Sequence, residues 1–109
     1  MPTVVSGDFE WDAQKASVNK DKHGVAFEEA VTAFFDERAL VIADPHDREE
    51  RFILLGMSSE ARILYVVHAE RVVHFLRRGE HTVPPRTRII SARVAHKTEA
   101  VQYALGDAT

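Results

Sequence analysis

Cysteine is absent from the 109 residues. Its absence excludes a disulfide scaffold, a thiolate zinc site, an iron–sulfur cluster and a cysteine nucleophile. No apolar run approaches the roughly 20 residues that a membrane-spanning helix needs. Met1 to Asp12 has neither a basic start nor an apolar core, so no secretory leader is expected there. The 5 glycines form no phosphate-binding loop, and there is no internal repeat or low-complexity tract. A cytoplasmic location without membrane contact is the expectation.

Hydrophobic residues make up 45% and charged residues 28%, the balance of an ordinary globular domain. One domain over residues 1–109 is expected. The net charge of −3 hides an asymmetry. Residues 1–50 carry 12 acids against 5 bases, and residues 51–109 carry 9 bases against 5 acids. From Arg71 to Lys97 there are seven bases and one acid, Glu80. A net negative chain is a poor general polyanion binder, but a compact basic segment permits contact with phosphates. The alternative is a solvated strand face whose arginine stems cover apolar surface.

The first half reads as helical. Asp12 suits the N-cap of a helix reaching Lys22, with Trp11, Ala16 and Val18 as a thin apolar stripe and Gly24 as the residue that ends it. Phe27, Ala30, Val31, Phe34 and Phe35 predict a second, amphipathic helix over 27–35. Trp11, Phe27 and Phe34 read as packing between the two helices. Strands follow at Ala39–Ala43, Arg51–Met57, Arg62–Glu70 and Thr87–Val94, with Val72–Arg77 continuing the third or forming another. Ala95–Leu105 reads as a closing helix. Short turns between strands imply an antiparallel meander. The expected class is α+β: two N-terminal helices, an antiparallel β-meander sheet and a C-terminal helix.

Six strings occur in order: FEWD (Phe9 to Asp12), KHGVAFEEA (Lys22 to Ala30), ERFILLGMS (Glu50 to Ser58), LYVVHAER (Leu64 to Arg71), RIISAR (Arg88 to Arg93), and Glu99 followed by Tyr103. Together they resemble the BrnT family of bacterial type II toxins over residues 9–105. The resemblance implies a RelE-like fold and a ribonuclease that suppresses translation. It also implies a cognate ribbon-helix-helix, BrnA-like antitoxin that blocks the toxin, and a complex of the two that binds promoter DNA. One departure is an insertion at about residues 72–87, about a dozen residues longer than the family's usual turn. It carries His74, Arg77, Arg78, His81 and Arg86.

Metal-free RNA cleavage requires a base for the 2′-hydroxyl proton, a cation for the charged phosphorane, and an acid for the leaving 5′-oxygen. The candidate catalytic residues are Arg93, His68, Arg51, Lys22 and His23, and the candidate RNA contacts are Arg88, Arg71, Arg77 and Arg78. Glu70 and Tyr103 are further candidates, with a salt bridge to Arg71 and plain packing as their simpler roles. Helix capping also accounts for Lys22 and His23, and ion pairing with Glu49 or Glu50 for Arg51. On a regular strand Arg88 and Arg93 point to opposite faces, so only a bulge or the strand's end lets both line one site. Arg93 is favoured for catalysis, leaving Arg88 to hold the acidic N-terminal half. Asp44, His46, Asp47, Glu49 and Glu50 lack metal-loop spacing, and His68, His74 and His81 lack zinc spacing. No cofactor or metal ion is expected. The rival reading is a non-catalytic interaction module that binds nucleic acid or an acidic partner through the basic second half.

Overall fold

The computed structural model describes residues 2–44, 50–71 and 86–106, with the side chain of Arg71 excepted. Arg77 and Arg78, and most of the 72–87 insertion, lie outside the described residues.

The chain opens on strands. β1 (Thr3–Ser6) and β2 (Phe9–Asp12) form a hairpin whose turn uses Gly7 at a φ of 58°. This corrects the expected layout of two helices at the start. Phe9 and Trp11 face the core while Glu10 and Asp12 face the other way, a period of two that a four-residue strand displays only briefly. Two helices follow, α1 (Ala13–His23) and α2 (Phe27–Ala33). β3 (Leu40–Ala43), β4 (Arg51–Met57), β5 (Ile63–Arg71) and β6 (Arg86–Val94) come next, and α3 (Lys97–Leu105) closes the order. The sheet runs β1-β2-β6-β5-β4-β3. Strands β3 to β6 pair antiparallel in sequence order, as a meander does. β2 pairs with β6 in parallel, so the six-stranded sheet is mixed rather than purely antiparallel. The class is α+β.

The helices α1 and α2 cover one sheet face. Between them and the sheet lie Phe9, Trp11, Val25, Phe27, Ala30, Ala33, Leu54, Leu64, Val66, Ile89 and Ala92. Trp11 meets Phe27 edge-on with ring centroids 6.0 Å apart. Burial of each such large side chain contributes roughly 1.5–3 kcal/mol. Gly56 lets α2 approach β4: a Cβ there would lie 2.6 Å from the Ala33 carbonyl oxygen. The expected helical face over 27–35 is shorter, because α2 ends at Ala33 and leaves Phe35 74% exposed. Val18, expected in the stripe of α1, is 56% exposed, and Asn19 is buried in its place.

The other sheet face carries Leu55 and Tyr65, which pair with each other, and Arg93, which pairs with Tyr65. α3 packs against β4 on this side. It leaves the lower part of the face, around Ala69, uncovered by helix among the described residues.

Candidate active site

A β-bulge decides which residues of β6 share a face. Val67 pairs with Ser91, and the next residue, His68, pairs with Ile89. Ile90 is therefore the extra residue. The bulge shifts the alternation by one, so Arg88, Ser91 and Arg93 all lie on the sheet face opposite the core under α1 and α2, while Ile89 and Ala92 point into that core.

Arg88 sits in a row that crosses four strands. Arg51 of β4 and Arg88 of β6 both pair with Ala69 of β5, and Arg88 pairs in turn with Glu10 of β2. Aligned residues share a face. Ala69, the small residue between the two arginines, leaves room above the sheet for both guanidinium groups. Arg88 Nη1 donates to Glu10 Oε2 at 2.5 Å, and Arg86 lies 3.9 Å from the other carboxylate oxygen. Glu10 is 4% exposed, so Arg88 pairs with a buried carboxylate of the N-terminal hairpin.

α1 is placed beside this row by its capping groups and by one buried amide. Asp12 accepts the Lys15 N–H at 2.9 Å, which lowers its carboxyl below the usual range. Gly24, left-handed at a φ of 72°, ends the helix and donates to the Lys20 carbonyl. Asn19 does more. Its amide donates to the Ala92 carbonyl at 2.8 Å and accepts the Ala92 N–H at 3.1 Å. It also donates to the Val25 carbonyl at 3.0 Å. Asn19 thus bonds the edge of β6 above the bulge, beyond the two residue pairs through which β2 meets β6.

Two adjoining depressions result. One, about 170 Å³, is lined by Asp12, Lys15, Arg51, Ala69, Arg88, Ile89 and Ile90. The other, about 570 Å³, lies between α1 and β6 and includes Lys22 and His23. They share Asp12, Lys15 and Ile90. Of the sequence candidates, Arg51, Arg88, Lys22 and His23 therefore border one continuous surface. Lys15 joins them, a residue sequence reasoning passed over. Asn19, Ala69, Glu10 and Ile90 were also missed. A mid-helix asparagine three residues after Ala16 was the one signal that could have exposed Asn19.

His68 and Arg93 stand apart from this surface. His68 is on the helix-facing side, 4% exposed, with Phe34 edge-on at 4.9 Å and Phe52 stacked at 5.9 Å. Burial lowers its pKa, and Glu70, 4.0 Å away, opposes the shift weakly. A single site using His68 together with Arg51 or Arg93 is excluded by this geometry, because the sheet lies between them. Arg93 shares a face with Arg51 but sits under α3. Both its terminal nitrogens donate to Glu99, each at 2.8 Å, and its guanidinium lies 3.8 Å from the Tyr65 ring centroid. The hydrogen bonds from Arg93 hold the Glu99 carboxyl below its ordinary range. Tyr103 donates to Asp36 at 2.6 Å, pinning the far end of α3, and Glu70 accepts from the Thr87 hydroxyl at 3.0 Å.

Among the described residues, no three His, Asp or Glu side chains gather in a set that could hold a metal ion. Among the described residues, no helix is long and apolar enough to cross a membrane.

Residues 11–99 match the model of a family described as the ribonuclease toxin, BrnT, of type II toxin-antitoxin systems. The chain belongs to the BrnT family. Comparison with curated proteins finds no match. BrnT proteins are ribonuclease toxins, and a type II toxin is paired with an antitoxin. The matched span contains Trp11 and Asp12 at the end of β2, the whole of α1 and the Arg51–Ala69–Arg88 row, so the residues lining both depressions lie within the matched region.

Proposed function

We propose that this chain is a cytoplasmic endoribonuclease of RelE-like fold, that it cleaves RNA without a metal ion, and that it thereby inhibits translation. The observation that carries the reading is the meeting of Arg51 and Arg88 over Ala69 beside Lys15, Lys22 and His23 of α1. Cleavage proceeds by attack of a 2′-oxygen on the adjacent phosphorus and departure of the 5′-oxygen. The 2′-hydroxyl loses a proton and the 5′-oxygen gains one, so the step is balanced. Arg51 and Arg88 stabilise the charge that gathers on the phosphorane. Lys22 and His23, exposed at the end of α1 and lining the adjoining depression, serve as the proton-transfer groups in this reading. Arg93 fits a different part of the proposal: it holds α3 in place. A ribbon-helix-helix antitoxin of the BrnA kind occludes the cationic surface, and the pair binds promoter DNA.

The test is RNA cleavage by the purified chain with excess chelator, wild type beside Arg51→Gln and Arg93→Ala. Cleavage that survives chelator, is abolished by Arg51→Gln and persists in Arg93→Ala supports the reading. Loss on chelation overturns metal independence. RNA binding with no cleavage by any of the proteins supports the non-catalytic interaction module instead.

A further inference from the structure

The two depressions that share Asp12, Lys15 and Ile90 differ in character. The smaller is framed by Arg51 and Arg88 and is cationic. The larger has Val18 and Ile90 as apolar walls, with Gln14, Asn19 and Ser91 between them and Lys15, Lys22 and His23 on its rim. Val18 is 56% exposed and lines this depression, on a helix whose other outward residues are polar. Ile90 owes its position to the bulge, which frees it from the strand's alternation and sets it at the boundary of both depressions. A volume of about 570 Å³ falls within the roughly 300–1,000 Å³ of small-molecule sites.

We infer that the depression between α1 and β6 is the pocket for the base of a nucleotide whose phosphate lies at Arg51 and Arg88, and that it sets which base is accepted next to the cleaved bond. The inference rests on the proposed ribonuclease function. Val18 and Ile90 offer apolar surface to the faces of the base, the sequence-tolerant part of nucleic-acid binding. Discrimination needs polar groups that read the base edge. Both amide hydrogens of Asn19 are committed to backbone carbonyls. Gln14 and Ser91 are the remaining neutral groups, and neither side chain enters a hydrogen bond among the described residues. Charge selects this depression over the comparably large one beside α2. That one is lined by Glu28, Glu29 and Glu60 against Lys20 and Arg62, and its Arg62 is bound to Glu29. Its balance is acidic and repels a polyanion, whereas Lys15 and Lys22 against the single acid Asp12 attract one.

The experiment uses the full chain and two readouts. The first is kcat/KM on short RNA substrates covering every dinucleotide step, for wild type, Val18→Trp, Gln14→Ala and Ser91→Ala. Val18 is exposed, so the tryptophan fills the depression without disturbing the core. The second is titration of the same proteins with the four nucleoside 3′-monophosphates. Val18→Trp is expected to lower kcat/KM about tenfold or more, chiefly through KM, and Gln14→Ala or Ser91→Ala to change the preferred base by about tenfold. Base-dependent nucleotide affinity that Val18→Trp abolishes supports the pocket even if no RNA is cleaved, in which case the ribonuclease proposal alone fails. Cleavage by wild type with kcat/KM and base preference unchanged within twofold in all three variants overturns the pocket and leaves the ribonuclease standing. Equal affinity of wild type for all four nucleotides, without cleavage, overturns both.

Discussion

Asn19 pairs with Ala92 as a neighbouring strand would, giving and accepting one hydrogen bond each. A helix thereby closes the edge of β6, and the cations of α1 come to lie beside the sheet arginines. Replacing Asn19 by Ala leaves the Ala92 N–H and the Ala92 and Val25 carbonyls without this partner, at about 1–3 kcal/mol for each group left unsatisfied. A loss of at least about 3 kcal/mol is expected in urea unfolding. Asn19→Asp keeps the acceptor but turns a carboxylate oxygen toward the Val25 and Ala92 carbonyls in a buried site, so a loss at least as large is expected. Equal stability of all three proteins would refute the edge-pairing role.

Gly56 is required by contact rather than by dihedral angle. Its Cβ would sit 2.6 Å from the Ala33 carbonyl oxygen and 2.9 Å from the Leu54 side chain. Gly56→Ala should cost about 1–3 kcal/mol, the usual range for overpacking. Thermal unfolding reads the effect, and an unchanged midpoint would mean that α2 shifts freely away from β4.

Arg51→Gln is expected to lower kcat/KM about 100-fold or more, the scale of losing one charge-stabilising donor. Arg88→Gln should lose activity and stability together, because the buried Glu10 carboxylate loses its 2.5 Å partner. The double variant Glu10→Gln with Arg88→Gln should regain stability without regaining activity. Recovery of cleavage in the double variant would show that Arg88 acts only by holding Glu10.

Arg93 clamps α3 through its two bonds to Glu99, which also accepts the His96 N–H at 2.7 Å. Arg93→Ala should speed amide hydrogen exchange across residues 97–105 well before the β4–β5 amides respond. Glu99→Gln should do the same to a lesser degree. If exchange in α3 is unaltered while RNA cleavage is abolished, Arg93 belongs to the chemistry rather than to the clamp.

His68 supplies a pH dependence whose direction is fixed by its surroundings. Burial lowers its pKa from the ordinary value of 6.5, so the unfolded chain takes up the proton more readily than the folded one. Stability from this group is therefore fully present well above pH 6.5 and declines as pH falls through 6.5 toward the lower folded-state value. His68→Leu should flatten the curve of unfolding free energy against pH in that window. A slope identical to wild type there would show that His68 titrates alike in both states.

How much was legible in the sequence follows from the range of each interaction. The cap at Asp12, the stop at Gly24 and strand Arg51–Met57 rest on contacts within a few residues, and local patterns disclose them. The pairing of β4 with β5 was readable because a short turn forces neighbours to pair, whereas β5 and β6 pair across the long segment between Arg71 and Arg86. The four-residue hairpin strands were not readable, since Trp11 fits a helical stripe as well as a strand alternation. The six motifs, taken in order, pointed to the BrnT family.

The sequence by itself determined the α+β class, the family, and the cationic residue types available to the site. Tertiary structure alone decided which of them meet. Arg51, Ala69 and Arg88 are far apart in the chain, and only strand register aligns them. Arg88 and Arg93 share a face because β6 carries one extra residue at Ile90. His68, two residues before the end of the same apolar run as Ala69, is turned to the opposite side by strand alternation. A one-residue shift reverses every side chain beyond it, and no local pattern records where the shift falls.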